Sequence, residues 1–337
     1  MHPAALAVEH LCPDIGGPRL RILITGGAGF LGVHLCKALL SRGNEVVAVD
    51  NFVTSSRNSI EQLTTSPDFT FIEGDVCANL PMEGEFDAIA HLACPASPND
   101  YLRFPLETLA TGSHGSEFVI QAAQKSSCRV VLASTSEVYG DPLQKPQREE
   151  YWGNVNPVGP RSVYDESKRY AEALFMAHRR TEKINTGIAR IFNTYGPGLR
   201  PDDGRVVSRF IAQALRGEPL TVYGNGSQTR SFCYVTDLVE GFIRMLESNE
   251  PGPINLGNPD EISIIKLARM ILTLTGSSSP LRFLPALEDD PAIRKPDIAK
   301  AKALLDWEPI VSLGEGLALT IAWQRDLFTR TTTAQTK

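Results

Sequence analysis

The chain has no CxxC cysteine pair, no histidine cluster, no surplus of basic residues and no long apolar run. Its six cysteines, at 12, 36, 77, 94, 128 and 233, are dispersed. That spacing excludes a zinc ribbon and suits free thiols in a reducing compartment, so no metal site is expected. Lys and Arg total 33 against 39 Asp and Glu, a formal net charge of −6. Such a balance does not suit nucleic acid or an anionic membrane, and the arginines should act locally, on an anionic ligand. No apolar stretch approaches the roughly 18 residues of a membrane span. Met1 to Pro18 carries acids and prolines instead of a basic segment followed by an apolar one, and reads as a flexible lead-in rather than an export signal. The expectation is a soluble, cytoplasmic protein without internal repeats.

What is present is alternation. The 337 residues, 42% of them apolar, suffice for one large or two coupled α/β domains. Strand-like runs at Leu20–Thr25, Glu45–Asp50, Phe69–Gly74, Phe86–Leu92, Arg129–Thr135 and Thr186–Ile191 are separated by helical stretches. These stretches lie around Arg57–Thr65, Leu106–Lys125 and Pro160–Lys183. The pattern predicts a Rossmann-type α/β fold, a doubly wound parallel sheet over residues 20–193. From 194 to 328 short strands (Leu220–Tyr223, Ser231–Val235, Ile254–Leu256, Leu281–Leu284) mix with helices at about 204–216, 237–248, 262–274 and 312–328. This part reads as a smaller mixed α/β lid for substrate, with some strands returning to the sheet. The Thr-rich end, 329–337, reads as a flexible tail.

Two motifs carry chemistry. The run Gly26-Gly-Ala-Gly29-Phe30-Leu31-Gly32 follows the first strand and opens a helix, the context of a dinucleotide-binding turn. Gly26 permits the tight turn, Gly29 lets a pyrophosphate approach the helix N-terminus, and Gly32 lets helix and strand pack closely. Asp50 ends the second strand, where a carboxylate accepts ribose hydroxyls and repels a 2′-phosphate, favouring NAD over NADP. Further on, Tyr164-Asp-Glu-Ser-Lys168 sets a phenol and an ammonium four residues apart on one helix face. A nearby Lys⁺ favours the phenolate, as would an oxidised nicotinamide, making Tyr164 a candidate base. The spacing alone equally describes a solvated face. The fifth strand strengthens the functional reading, because it delivers Thr135 and Glu137 to the carboxyl edge of the sheet.

Glycine motif, hydroxyl at the fifth strand and Tyr-xxx-Lys, in that order, resemble the extended short-chain dehydrogenase/reductases acting on nucleotide sugars. One branch is matched in detail, the UDP-glucuronate decarboxylases, or UDP-xylose synthases. The stretches are His91-Leu-Ala-Cys-Pro-Ala-Ser-Pro98, Ser134-Thr-Ser-Glu-Val-Tyr-Gly-Asp-Pro142, Arg190-Ile-Phe-Asn-Thr-Tyr-Gly-Pro197 and Asp203-Gly-Arg-Val-Val-Ser208. They continue as Leu220-Thr-Val-Tyr-Gly, Gln228-Thr-Arg-Ser-Phe-Cys-Tyr-Val235, Asn255-Leu-Gly-Asn-Pro259, Arg294-Lys-Pro-Asp-Ile298 and Trp307-Glu-Pro309. The resemblance runs from about Arg21 to Leu317.

It implies NAD as cofactor and a homodimer joined through the helices at about 106–125 and 160–180. Thr135, Tyr164 and Lys168 would form the hydride-transfer group, and Glu137 and Arg294 would handle the substrate carboxylate and the C5 proton. Asn51, Asp75, Val76 and Leu92 would join Gly26, Gly29, Phe30, Leu31, Gly32 and Asp50 around the cofactor. Pro95, Ser136, Asn193, Arg205, Tyr223, Gln228 and Arg230 would hold the UDP-sugar. From the residues alone, Arg294 is as readily a surface side chain, and Arg205 and Arg230 as readily structural ion pairs. This chain departs from the branch in Ser167, where glycine is usual, in Gly198, where arginine is usual, and in Arg209, where asparagine is usual.

The chemistry so implied oxidises C4 of UDP-glucuronate, which turns the sugar acid into a β-keto acid able to lose CO₂, and then reduces C4 again to give UDP-xylose. Four alternatives share much of the machinery: a 4-epimerase, a 4,6-dehydratase, release of the 4-keto pentose with NADH, and a non-catalytic NAD-sensing protein. The dehydratases carry Asp-Glu where this chain has Ser136-Glu137.

Overall fold

A computed structural model describes residues 18–78, 83–286, 291 and 293–335. The expected lead-in lies almost wholly outside them. In chain order the first half comprises β1 (Arg21–Thr25), α1 (Phe30–Ser41), β2 (Glu45–Asp50), β3 (Phe69–Glu73), β4 (Ala88–His91), α2 (Pro98–Arg103), α3 (Pro105–Ala110), α4 (Ser116–Ser126), β5 (Arg129–Thr135), α5 (Ser162–Thr181) and β6 (Thr186–Ile191). Then come β7 (Thr194–Tyr195), α6 (Val206–Arg216), β8 (Leu220–Tyr223), β9 (Thr229–Ser231), β10 (Cys233–Tyr234), α7 (Val235–Glu247), β11 (Ile254–Leu256) and β12 (Glu261–Ser263). The chain closes with α8 (Ile264–Thr275), β13 (Leu281–Leu284), β14 (Ile293–Arg294), α9 (Ala299–Leu305) and α10 (Leu313–Gln335).

Seven strands form one parallel sheet in the order β11-β6-β5-β4-β1-β2-β3. β5 lies near its middle and all seven of its residues are buried, as a strand covered on both faces requires. The strand order reverses between β1 and β4. At that switch point the loops after the two strands diverge and leave the crevice in which α/β sheets bind ligands.

Four local readings are corrected. Arg57–Thr65 is not one helix but two 3₁₀ turns, Arg57–Ser59 and Leu63–Thr65. The hydroxyls of Ser59, Thr64 and Thr65 bond to carbonyls three residues back and compete with the helical ladder. The expected helix 106–125 is broken by a π-turn at Thr111–Gly115. There Gly112 lets α5 approach, since a Cβ would stand 2.6 Å from that of Ser167. Ser167, unusual for the branch, is thus accommodated by a missing side chain opposite. α2 was not expected; Ser97 caps it by accepting from the Asp100 N–H, with Pro98 at its first position. The Thr-rich end continues α10 to Gln335 instead of leaving it as a tail.

Beyond residue 193 a strand returns to the sheet, as the sequence reading allows. β11 joins the main sheet beside β6, and α7 packs on that sheet and on α1. Residues 235–256 therefore belong to the nucleotide-binding layer. The lid is built from α6, α8, α10 and the small pairings β8·β13 and β12·β9·β14.

Candidate active site

The glycine run behaves as its spacing predicts. Gly26 has φ +73°, and a Cβ on it would stand 2.7 Å from the Ala93 nitrogen, so the loops after β1 and β4 touch there. Gly32 cannot carry a side chain, because its Cβ would fall 2.1 Å from the Gly26 carbonyl oxygen. Gly29 caps α1 and meets only that same carbonyl, leaving its outer side open. A helix N-terminus with an uncrowded glycine at its cap fits a pyrophosphate. Asp50 accepts from the Ala28 N–H at 3.0 Å through one carboxylate oxygen. Its other oxygen accepts from the Phe52 N–H and the Ser55 hydroxyl. The carboxylate thus stands against the glycine loop with acceptor capacity left for a ribose hydroxyl.

Asn51 donates to Asp75 across the next two loops, 3.1 Å. Leu31 and Leu92 line a small apolar recess, and Phe30 packs edge-on against His34. Val76 is buried in the core against Gly115, so its side chain does not reach the cleft. His91, at the end of β4, is a tie rather than an acid–base group. Its ring nitrogens meet the Thr25 and Ser116 hydroxyls, and burial, aided by Lys168, lowers its pKa to about 3.

Tyr164, Thr135 and Lys168 come together at the carboxyl end of β5, all buried. Tyr164 lies flat against Tyr101 of α2, with ring centroids 5.1 Å apart. Thr135 stands close enough to its hydroxyl to draw the phenol pKa down. The expectation that Lys168 favours a phenolate needs correction. Lys168 Nζ donates to the Ala133 carbonyl at 2.8 Å, and the phenol pKa is raised. Burial is the main cause; Thr135 and the Arg205 charge pull the other way without prevailing. Lys168 anchors α5 to β5, and further positive charge must arrive before the phenol ionises.

Glu137, half-buried, pairs with Arg294, which is not a surface residue: it is 1% exposed. A zipper places it there. Gln147 N–H donates to the Lys295 carbonyl at 2.8 Å, Lys295 N–H donates to Gln147 Oε1 at 2.7 Å, and Asp297 N–H donates to the Gln147 carbonyl at 2.8 Å. On its other side β14 runs parallel to β9, with Arg294 in register with Arg230. Arg294 Nη2 then donates to Glu137 Oε2 at 2.7 Å, and Nη1 donates to the Gly140 carbonyl. Arg161, which the sequence reading missed, donates to the same Glu137 oxygen at 2.6 Å. Burial alone would raise the Glu137 pKa, but Arg294 and Arg161 outweigh it and hold the group ionised. Arg294 Nε is buried and has no hydrogen-bond partner among the described residues. A cavity of about 210 Å³ opens beside this cluster, lined by Glu137, Arg161, Arg294, Asp165 and the 154–156 loop.

The residues expected to hold the UDP-sugar lie on the lid side and on the loops facing it. Pro95 and Ser136 are buried, and Asn193 is half-buried where its carbonyl accepts from Cys233 N–H. Arg205 donates to the Ala96 carbonyl and lies 3.6 Å from Asp203. Gln228 donates to the Tyr223 carbonyl, 2.8 Å. Arg230 is buried in β9. Arg209 acquires an account: its guanidinium stacks over the Tyr223 ring, 5.0 Å from the centroid, and donates to the Gly204 and Thr221 carbonyls. Gly198 has φ +92°, a conformation that disfavours the usual arginine. Arg200 does pair locally, donating to Asp100 at 2.7 Å.

The family described as NAD dependent epimerase/dehydratase matches residues 22–257. UDP-glucuronic acid decarboxylase 1 of Xenopus tropicalis is 52% identical over 307 residues, covering 91% of this chain and 72% of that protein. UDP-glucuronic acid decarboxylase 3 of Arabidopsis thaliana is 52% identical over 303 residues, covering 90% and 88%. Among solved structures, the UDP-glucuronic acid 4-epimerase of Bacillus cereus, in complex with UDP-glucuronic acid and NAD, superposes with a TM-score of 0.83. It is 30% identical, over 91% of this chain and all of that one. The UDP-glucose 4-epimerase of Thermotoga maritima, with UDP-glucose, gives a TM-score of 0.85 at 27% identity, over 92% and 100%.

Proposed function

We infer that this chain, which belongs to the NAD dependent epimerase/dehydratase family, is a UDP-glucuronate decarboxylase making UDP-xylose through a 4-keto intermediate. The observation that carries the reading is Arg294, buried beside Glu137 with its Nε–H unmatched among the described residues. A buried donor without an acceptor costs about 1–3 kcal/mol, so such a group suits a site completed by a ligand oxygen. A carboxylate on C5 of the sugar is the oxygen that UDP-glucuronate presents and UDP-glucose does not, and the 52% identity to UDP-glucuronic acid decarboxylases favours its loss over epimerisation at C4. Incubation with UDP-glucuronate and NAD⁺, following CO₂ and nucleotide-sugar mass, tests it. Conversion to an epimer of unchanged mass without CO₂ would replace it by the epimerase reading.

When bound, NAD⁺ would supply the acceptor for the C4 hydride and the donor for its return. The chain supplies the rest. Tyr164 takes the C4 hydroxyl proton, with Thr135 beside its oxygen and Lys168 fixing the helix on which it stands. Arg294 and Glu137 hold the carboxylate and the water that meets C5. Arg205, Tyr223, Gln228 and Arg230 receive the UDP portion, where guanidinium groups suit a diphosphate. Asp50 selects against a 2′-phosphate. Wild type should therefore bind NAD at least about tenfold, or 1.4 kcal/mol, more tightly than NADP. Asp50→Ala should narrow that gap, as titration of both cofactors would measure. Equal affinities in wild type would overturn the assignment.

The protein acts as a homodimer in this reading, in the cytoplasm. Support for the first comes from Leu102, Leu106 and Leu109 of α2 and α3 and Tyr170 of α5, all large, apolar or aromatic and exposed on helices that pack together. Support for the second comes from the five described cysteines, which are all free thiols. Light scattering at micromolar concentration should report two chains per particle, and Leu106→Arg should shift it towards one. Monomer alone in wild type would count against the dimer.

A further inference from the structure

Asp165 follows the candidate base directly in sequence and faces a different neighbourhood. It is 6% exposed, yet it forms part of the wall of the cavity that holds Glu137, Arg161 and Arg294. Its Oδ1 is buried without a hydrogen-bond partner among the described residues. A carboxylate buried in that condition would be costly, whereas a carboxylic acid tolerates it and has a proton to give.

Decarboxylation needs such a proton. When the C5–carboxyl bond breaks, CO₂ departs and the electron pair stays on the sugar as an enolate across C4 and C5. C5 must then gain one proton before C4 can be reduced. The C4 hydroxyl proton taken by Tyr164 is returned to C4 at the end, so the balance over a turnover is one proton consumed from outside. Glu137, held ionised by Arg294 and Arg161, has no proton to give.

We propose that Asp165 is the proton store of this site, its carboxyl supplying, through a water of the cavity, the proton that C5 gains after CO₂ leaves. The water gives its proton to C5 and takes one from Asp165, and Asp165 recovers one from solvent through the cavity mouth. The inference rests on the decarboxylase reading.

The charges around Asp165 fit the role. Burial raises its pKa first, and Glu137, beyond the end of β5, raises it further. Arg161 at the start of α5 and Arg294 of β14 pull it down, while Glu166 on its own helix pushes it up. Asp141 also lines the cavity. The outcome is a carboxyl at about 7. The group is protonated below that pH and empties above it, so the store fails as pH rises.

The test separates CO₂ release from UDP-xylose formation in single turnovers of the NAD-loaded enzyme between pH 6 and 8.5. In wild type, the UDP-xylose step should fall above pH 7, approaching tenfold per pH unit, while CO₂ release does not follow it. Asp165→Asn should release CO₂ at close to the wild-type rate. It should form UDP-xylose more slowly by roughly 10²-fold, in the range for loss of a general acid, and without the alkaline limb. Asp165→Glu should restore both the rate and the limb in part. A UDP-xylose step in wild type that is flat across this range overturns the proposal whether or not the variants fold. So does an Asp165→Asn protein that keeps the limb, or that slows both steps equally, as a structural role would. If wild type releases no CO₂ from UDP-glucuronate, it is the decarboxylase reading that has failed.

Discussion

Tyr164→Phe should abolish oxidation at C4, so that neither bound NADH nor CO₂ appears when UDP-glucuronate is added. The variant keeps the ring that stacks on Tyr101 and removes only the hydroxyl beside Thr135. Binding of NAD and UDP-sugar should accordingly change little, and the loss should fall on the chemical step, by roughly 10²–10⁴-fold or more. Burial holds the phenol above its ordinary range, and Lys168 is committed to the Ala133 carbonyl. Positive charge arriving beside the ring is then what brings Tyr164 to ionise. A spectroscopic titration of the phenol should show it ionising at lower pH with NAD⁺ bound than without, the shift being absent in Tyr164→Phe. Single-turnover absorbance of NADH checks the first claim: a Tyr164→Phe enzyme that reduces its cofactor at the wild-type rate would remove Tyr164 from the role of base.

The parts legible in the sequence are those whose chemistry is local. Strands β5 and β6 have the bounds that their apolar runs predict, since a strand buried on both faces leaves an uninterrupted signature. Gly26, Gly29 and Gly32 have roles that follow from position in a strand–turn–helix unit. Tyr164 and Lys168 share a helix face because four residues make about one turn. Other features depend on partners far away in the chain. The burial of Arg294 needs β14 to pair with β9 and the 295–297 segment to zip against Gln147, neither of which leaves a periodic trace. Arg161 acquires its meaning only from the Glu137 oxygen that it shares with Arg294. Asp165, next to Tyr164, lies about 100° further round the helix, outside the i, i+4 comparison that singles out Lys168. The expected action of Lys168 on Tyr164 failed for a similar reason. Spacing establishes a shared face, but not which acceptor the ammonium finds.

Changes at Glu137 and Arg294 should strike a later stage than Tyr164→Phe does. Glu137→Gln keeps the shape of the side chain and an oxygen for one guanidinium, but removes the charge that Arg161 and Arg294 share. Oxidation at C4 does not need that charge, so reduced cofactor should accumulate while CO₂ release slows by roughly 10²-fold, as for a group acting in a transition state. Arg294→Ala should be more severe. It removes the partner that most strongly holds Glu137 ionised, so the Glu137 pKa should rise. It also removes the donors proposed to meet the substrate carboxylate, so KM should rise together with the fall in kcat. Some stability should go too, because breaking a buried ion pair on one side costs about 3–5 kcal/mol when nothing replaces it, and less here because Arg161 remains. Arg294→Lys should recover part of the affinity but not the two-pronged contact to Glu137 and Gly140. NADH absorbance read beside CO₂ release distinguishes the two stages. Release of CO₂ at the wild-type rate by both Glu137→Gln and Arg294→Ala would separate this cluster from decarboxylation and leave an epimerase-like site.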